Sequence, residues 1–173
     1  MVWQESIASF REKLAGPDPV PAGVAAAAVT ASLALSLLIK VLHKRGLTAL
    51  AGKAKLESDR LAQAADDDVA AFHQYLANKN ARDVIGVPMA AARSAVAGLD
   101  LCAEAAGLVH GHIAADIASA GELLLSAVQV MLLSVDSNLR QLHWDAPELT
   151  AERQSLEDRA QKQASRVRTY FAL

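Results

Sequence analysis

The chain has 173 residues and a formal net charge of −2 at pH 7, with 53% hydrophobic, 21% charged and 4% aromatic residues. This balance excludes the basic footprint of a nucleic-acid-binding protein and the low hydrophobicity of a disordered chain. Thirty-seven alanines favour helices over strands, and the lone cysteine, Cys102, excludes an internal disulfide and any CxxC-type zinc site.

The spacing of Ile7, Phe10 and Leu14 predicts a first helix over Trp3–Leu14. Gly16-Pro17-Asp18-Pro19-Val20-Pro21 breaks it, because each proline disfavours helical backbone in the residue before it. A second, Ala-rich helix is expected from about Ala22 to a C-capping Gly46. It contains an uncharged run from Pro19 to Ile39, long enough to span a bilayer. Seven alanines and the hydroxyls of Thr30, Ser32 and Ser36 weaken that reading, and a helix buried in a bundle or dimer is preferred. Lys40, His43, Lys44 and Arg45 crowd its last turn, where the helix dipole favours cations and where an anion could equally bind.

A third helix, from about Thr48 to Leu76, places Leu61, Ala65, Asp68, Phe72 and Leu76 on one stripe, with a carboxylate inside an apolar face. Residues 78–86 read as a turn, and Pro88 as the first turn of a fourth helix reaching about His110. A fifth, about Ile113–His143, buries Ile113, Ile117, Leu124, Met131 and Val135. A sixth opens at Pro147, with Leu149, Leu156, Ala160, Val167 and Phe171 as its stripe. The expected fold is all-α: a single domain over 1–173, with five or six long helices and a central Ala-rich helix. The polar amphipathic start is unlike a secretory leader, so the expected location is cytoplasmic, with no membrane and no nucleic-acid partner.

Phosphate loops, GxGxxG, HExxH and nucleophile elbows are absent from the sequence. His110 and His112 lack a third ligand at helical spacing, so no metal is expected. Gly107 and Gly111 suit close helix packing. Polar groups on apolar faces remain. Asp116, near the start of the fifth helix, fits either a favourable acid at a helix N-terminus or a tuned general acid or base, and Asp68 allows the same two readings.

Several short motifs, spread over nearly the whole chain, resemble the formiminotransferase-cyclodeaminase C-terminal family, which includes bacterial methenyltetrahydrofolate cyclohydrolases. They are the segment Leu14–Pro21 before the Ala-rich helix, Asp67-Asp68-Val69-Ala70-Ala71-Phe72, Val87-Pro88-Met89, Asp116, and Ser134-Val135-Asp136-Ser137-Asn138. The resemblance implies an all-helical homodimer with the Ala-rich helix at its centre, and a tetrahydrofolate derivative as substrate. The reaction would be hydrolytic opening of a methenyl bridge or cyclodeamination of a formimino group. The former is expected in a chain without an attached formiminotransferase domain. It implies Asp116 as the catalytic carboxylate, Asn138 as the residue that orients folate or water, Gly23 as the remaining glycine of the ligand-approaching turn, and Lys40, His43 and Lys44 beside the folate's glutamate carboxylates. His112 as a catalytic partner of Asp116 and His110 as a binding residue are expected where these histidines supply new donors.

The chain also departs from the family pattern. The glycine run shrinks to Gly23 followed by Val24, and Val109-His110-Gly111-His112 stands where the family has Gly-Asn-x-Asn. Two further readings follow: an enzyme acting on another small molecule, or a non-catalytic helical subunit with a degenerate folate site.

Overall fold

The computed structural model describes residues 1–171. Six α-helices carry the chain: α1 (Ile7–Leu14), α2 (Gly23–Lys44), α3 (Thr48–Asn78), α4 (Arg82–Ala106), α5 (Ala115–Gln141) and α6 (Pro147–Phe171). Short 3₁₀ turns sit at Val2–Gln4 and His112–Ala114, and no strand occurs among the described residues. The all-α expectation holds.

Helices α2 to α5 run alternately up and down, each beside the next, and α5 returns against α2. Connections of a few residues at 45–47 and 79–81 force the antiparallel order of α2, α3 and α4. The core lies between these four helices, with Leu35, Leu38, Leu61, Met89, Leu99, Leu124 and Met131 fully buried. Small side chains allow the close approach: Ala25, Ala28, Ala31 and Ala34 of α2 are buried, as are Ala92, Ala95 and Cys102 of α4. At Gly98 the approach is tightest. A Cβ there would stand 3.0 Å from Leu35 and 3.3 Å from Leu124, so α2, α4 and α5 meet over a position where a methyl group would make these two side chains shift.

The hydroxyls that weakened the membrane reading have defined tasks. Ser32 and Ser58 are buried and join α2 to α3, with their oxygens 2.9 Å apart and each bonded to the other's carbonyl. Thr30 and Ser36 bond back to the carbonyls of Ala26 and Ser32. Helices α2 and α4 and the stretch His112–Gln141 are long and apolar enough to cross a membrane by length and composition. In this structure half of α2, eleven of its 22 residues, is buried.

Helix α6, the most polar long helix, lies over α4 and α5. Arg–carboxylate pairs fasten it along its length: Glu152 to Arg93, Arg159 to Asp100, Arg153 to Asp136 and Arg168 to Glu122. Ala160, Ala164 and Val167 supply its buried contacts.

Three boundaries differ from the sequence reading, one of them the end of α4, which stops at Ala106 and not near His110. The first helix begins only at Ile7, capped by Ser6, whose hydroxyl accepts from the Ser9 N–H; its apolar face is not buried, with Ile7 82% exposed. Helix α4 begins at Arg82, so Pro88 lies in its interior and not in its first turn.

Candidate active site

One end of the bundle is hollow. The N-terminus of α2, the last third of α3, the start of α4 and the C-terminal part of α5 converge there, under the loop Pro19–Ala22. They enclose a cavity of about 210 Å³ lined by Gly23, Asp68, Phe72, Tyr75, Val84 and Asn138, with Ser134, Ser137 and Gln141 adding polar groups.

Among the described residues, Asp68 is the only carboxylate that lines it. The residue occupies the apolar stripe of α3, level with the first turn of α2, because these two helices are antiparallel. The N-cap of α2 is Ala22, which offers no side-chain cap, so the first N–H groups lack intrahelical partners. The Ala25 N–H in that first turn favours the charged form of Asp68 and lowers its pKa, but burial in the cavity wall acts more strongly, and the carboxyl is pushed up from 3.8 to about 6. The group therefore changes charge close to neutral pH, as a proton carrier should.

Gly23 lies beside this acid at the first position of α2. A Cβ built on it would meet only Val130, at 3.6 Å, so packing within the chain does not demand glycine here. The bare backbone at the cavity wall permits close approach of a bound molecule to the free N–H groups. Phe72 and Tyr75, tilted by 49° with centroids 6.4 Å apart, give the wall two aromatic surfaces. Asn138 faces them from α5 and donates its amide to the Val84 carbonyl at 2.6 Å.

The remaining residues singled out in the sequence lie at the opposite end. The ammonium of Lys40 is 2.5 Å from the Asp116 carboxylate, joining the end of α2 to the start of α5. His43, His110 and His112 are exposed there, and Arg45 donates to the His110 carbonyl at 2.6 Å. At about 1.5 Å rise per residue, Asp116 and Asn138 stand about 33 Å apart along α5. The antiparallel pairing of α2 with α5 thus divides the seven expected site residues within one subunit. It brings Gly23 and Asn138 together at the cavity and gathers Asp116, His112, Lys40, His43 and His110 at the far end.

Gly107 does pack closely, with a Cβ there only 3.1 Å from the Tyr170 hydroxyl, whereas Gly111 is a turn residue at φ +86°. Among the described residues no three His, Cys, Asp or Glu side chains converge as metal ligands. The sequence reading missed Phe72, Tyr75, Val84, Ser134, Ser137 and Gln141 as cavity residues. For Asp68 the signal was present: a carboxylate in register with Leu61, Ala65 and Phe72.

The fold and the cavity define an antiparallel helical bundle with an acid of raised pKa at one end. The family model for formiminotransferase-cyclodeaminase matches residues 77–157, which span α4, α5 and the first half of α6. Among solved structures, formiminotetrahydrofolate cyclodeaminase from Thermotoga maritima superposes with a TM-score of 0.91 at 18% identity, covering 98% of this chain and 97% of the other. No curated protein matches the chain by sequence. The chain is thus similar to the formiminotransferase-cyclodeaminase family over residues 77–157, as its motifs suggested, and shares the fold of this cyclodeaminase.

Proposed function

We propose that the Asp68 cavity binds the reduced ring system of a tetrahydrofolate derivative and catalyses proton-assisted chemistry at a carbon–nitrogen bond of its one-carbon unit. The raised pKa of Asp68 within a cavity of mixed aromatic and amide character carries this reading. Aromatic faces suit a flat heterocycle, and the hydroxyls and amides suit its nitrogens. At about 210 Å³ the cavity is smaller than the roughly 300–1,000 Å³ of drug-sized pockets. It accommodates the ring system, while the rest of the folate lies over the surface.

Asp68 replaces Asp116 as the proton carrier in this scheme, and Gly23 and Asn138 keep their binding roles. In cyclodeamination, N10 attacks the carbon of the protonated formimino group (N5–CH=NH2+) and Asp68 takes the N10 proton. Asp68 then delivers that proton to the amino group, the carbon–nitrogen bond breaks, ammonia leaves and the methenyl bridge forms. In cyclohydrolysis, the Asp68 carboxylate takes a proton from the water that adds to the methenyl carbon, then returns it to the ring nitrogen as the bridge opens. One acid near neutrality serves either sequence.

Calorimetric titration with 5-formyltetrahydrofolate tests the site. Micromolar binding supports it, and turnover of the methenyl and formimino substrates then decides between the two reactions. No heat and no thermal shift at millimolar ligand overturns the folate reading.

The homodimer implied by the family resemblance has a suitable surface. The register that pairs Lys40 with Asp116 sets Leu33 of α2 level with Leu123 of α5, and both are exposed, as are Val130 and Leu133 further along α5. We propose that two copies associate through this α2–α5 face.

A further inference from the structure

Within α4 the N–H of residue 88 would ordinarily bond the carbonyl of Val84, four residues earlier. Pro88 has no N–H and is buried, so this carbonyl loses its helical donor on a half-buried residue at the cavity wall. The replacement comes from α5, 54 residues away, where the Asn138 amide donates to Val84 at 2.6 Å. A side-chain amide has one donating and one accepting end. With the NH2 committed to Val84, Asn138 Oδ1 remains, and among the described residues it accepts no hydrogen bond.

We infer that Pro88 is a positioning residue: by vacating the Val84 carbonyl it fixes the Asn138 amide so that the cavity is offered an acceptor oxygen and not an NH2. A ligand placed against Asn138 must then present an N–H or O–H donor. A molecule offering only acceptors there leaves two lone pairs facing one another and is rejected. The ligand side of this inference rests on the proposed folate site; the orientation of the amide does not.

Pro88→Ala is the test, because it restores the missing N–H without demanding a new backbone shape. The Asn138 side-chain amide resonances, identified by their loss in Asn138→Leu, report the bond with no ligand present. In Pro88→Ala they are expected to move toward solvent-exposed values and to exchange faster. Unchanged resonances overturn the inference.

Stability gives a second readout. Asn138→Leu strands the Val84 carbonyl and lowers the urea midpoint, and adding Pro88→Ala recovers at least about half of that drop. Additive effects of the two substitutions overturn the inference. Affinity for 5-formyltetrahydrofolate is expected to fall about tenfold in Pro88→Ala and to fall no further when Asn138→Leu is added. If the wild type does not bind this folate, the proposed function fails, while the resonance and urea experiments still decide the role of Pro88.

Discussion

Asp68 combines two demands that conflict: the Ala25 N–H at the start of α2 favours its charge, yet it sits where burial penalises that charge. Its folded pKa of about 6 exceeds the ordinary 3.8, so between these values the folded chain binds more protons than the unfolded one. Stability from this group is full below about pH 4 and is lost as pH rises through 6. Asp68→Asn keeps an oxygen to accept from Ala25 and removes the charge. The variant is expected to be more stable than the wild type at pH 7.5, by up to about 3 kcal/mol, with the gap closing below pH 4. Urea unfolding at both pH values checks this, and a variant less stable at pH 7.5 contradicts it. For the exposed Lys40–Asp116 pair, Asp116→Asn should change stability by under about 1 kcal/mol and leave turnover intact. A large loss of turnover would return catalysis to the far end of the bundle. Both carboxylates were visible in the sequence as acids near apolar stripes. The sequence alone could not rank them, because the pairing of α2 with α5 brings Asp116 to Lys40 and the pairing of α2 with α3 brings Asp68 to the cavity.

At the scale of the elements, periodicity carried most of the information. The stripe Ile117, Leu124, Met131 and Val135 of α5 is buried, as are Ala160 and Val167 of α6. Periodicity failed where a distant group intervened. Pro88 reads locally as a helix start, and its place inside α4 is tolerated because Asn138 serves the orphaned Val84 carbonyl. The reading also failed at α1, whose amphipathic pattern finds no covering surface in this chain. The close crossing of α2, α4 and α5 at Gly98 makes its own prediction. Gly98→Ala should destabilise by about 1–3 kcal/mol despite its better helix propensity, since Leu35 and Leu124 must shift. Chemical denaturation measures this, and a stabilised variant would show that the crossing is looser than the structure has it. Cys102, buried in the same layer with its thiol pushed up to about 12, should resist thiol reagents until the bundle unfolds.

For the whole molecule, an antiparallel bundle with the fold of formiminotetrahydrofolate cyclodeaminase gathers one acid, two aromatic rings and an oriented amide at one end, leaving an exposed apolar edge on α2 and α5. If that edge pairs two copies, the mass in solution will be twice 18.2 kDa, and Leu33→Glu with Leu133→Glu will halve it. A wild-type monomer at working concentration would set this edge aside. The central claim is that Asp68 carries the proton in chemistry on a tetrahydrofolate one-carbon unit. Its most direct test is turnover of methenyl- and formimino-tetrahydrofolate against pH, for the wild type and Asp68→Asn. The account predicts a wild-type profile inflecting near pH 6 and a loss of about 10²–10⁴-fold in the variant. Undiminished turnover by a folded Asp68→Asn would contradict it.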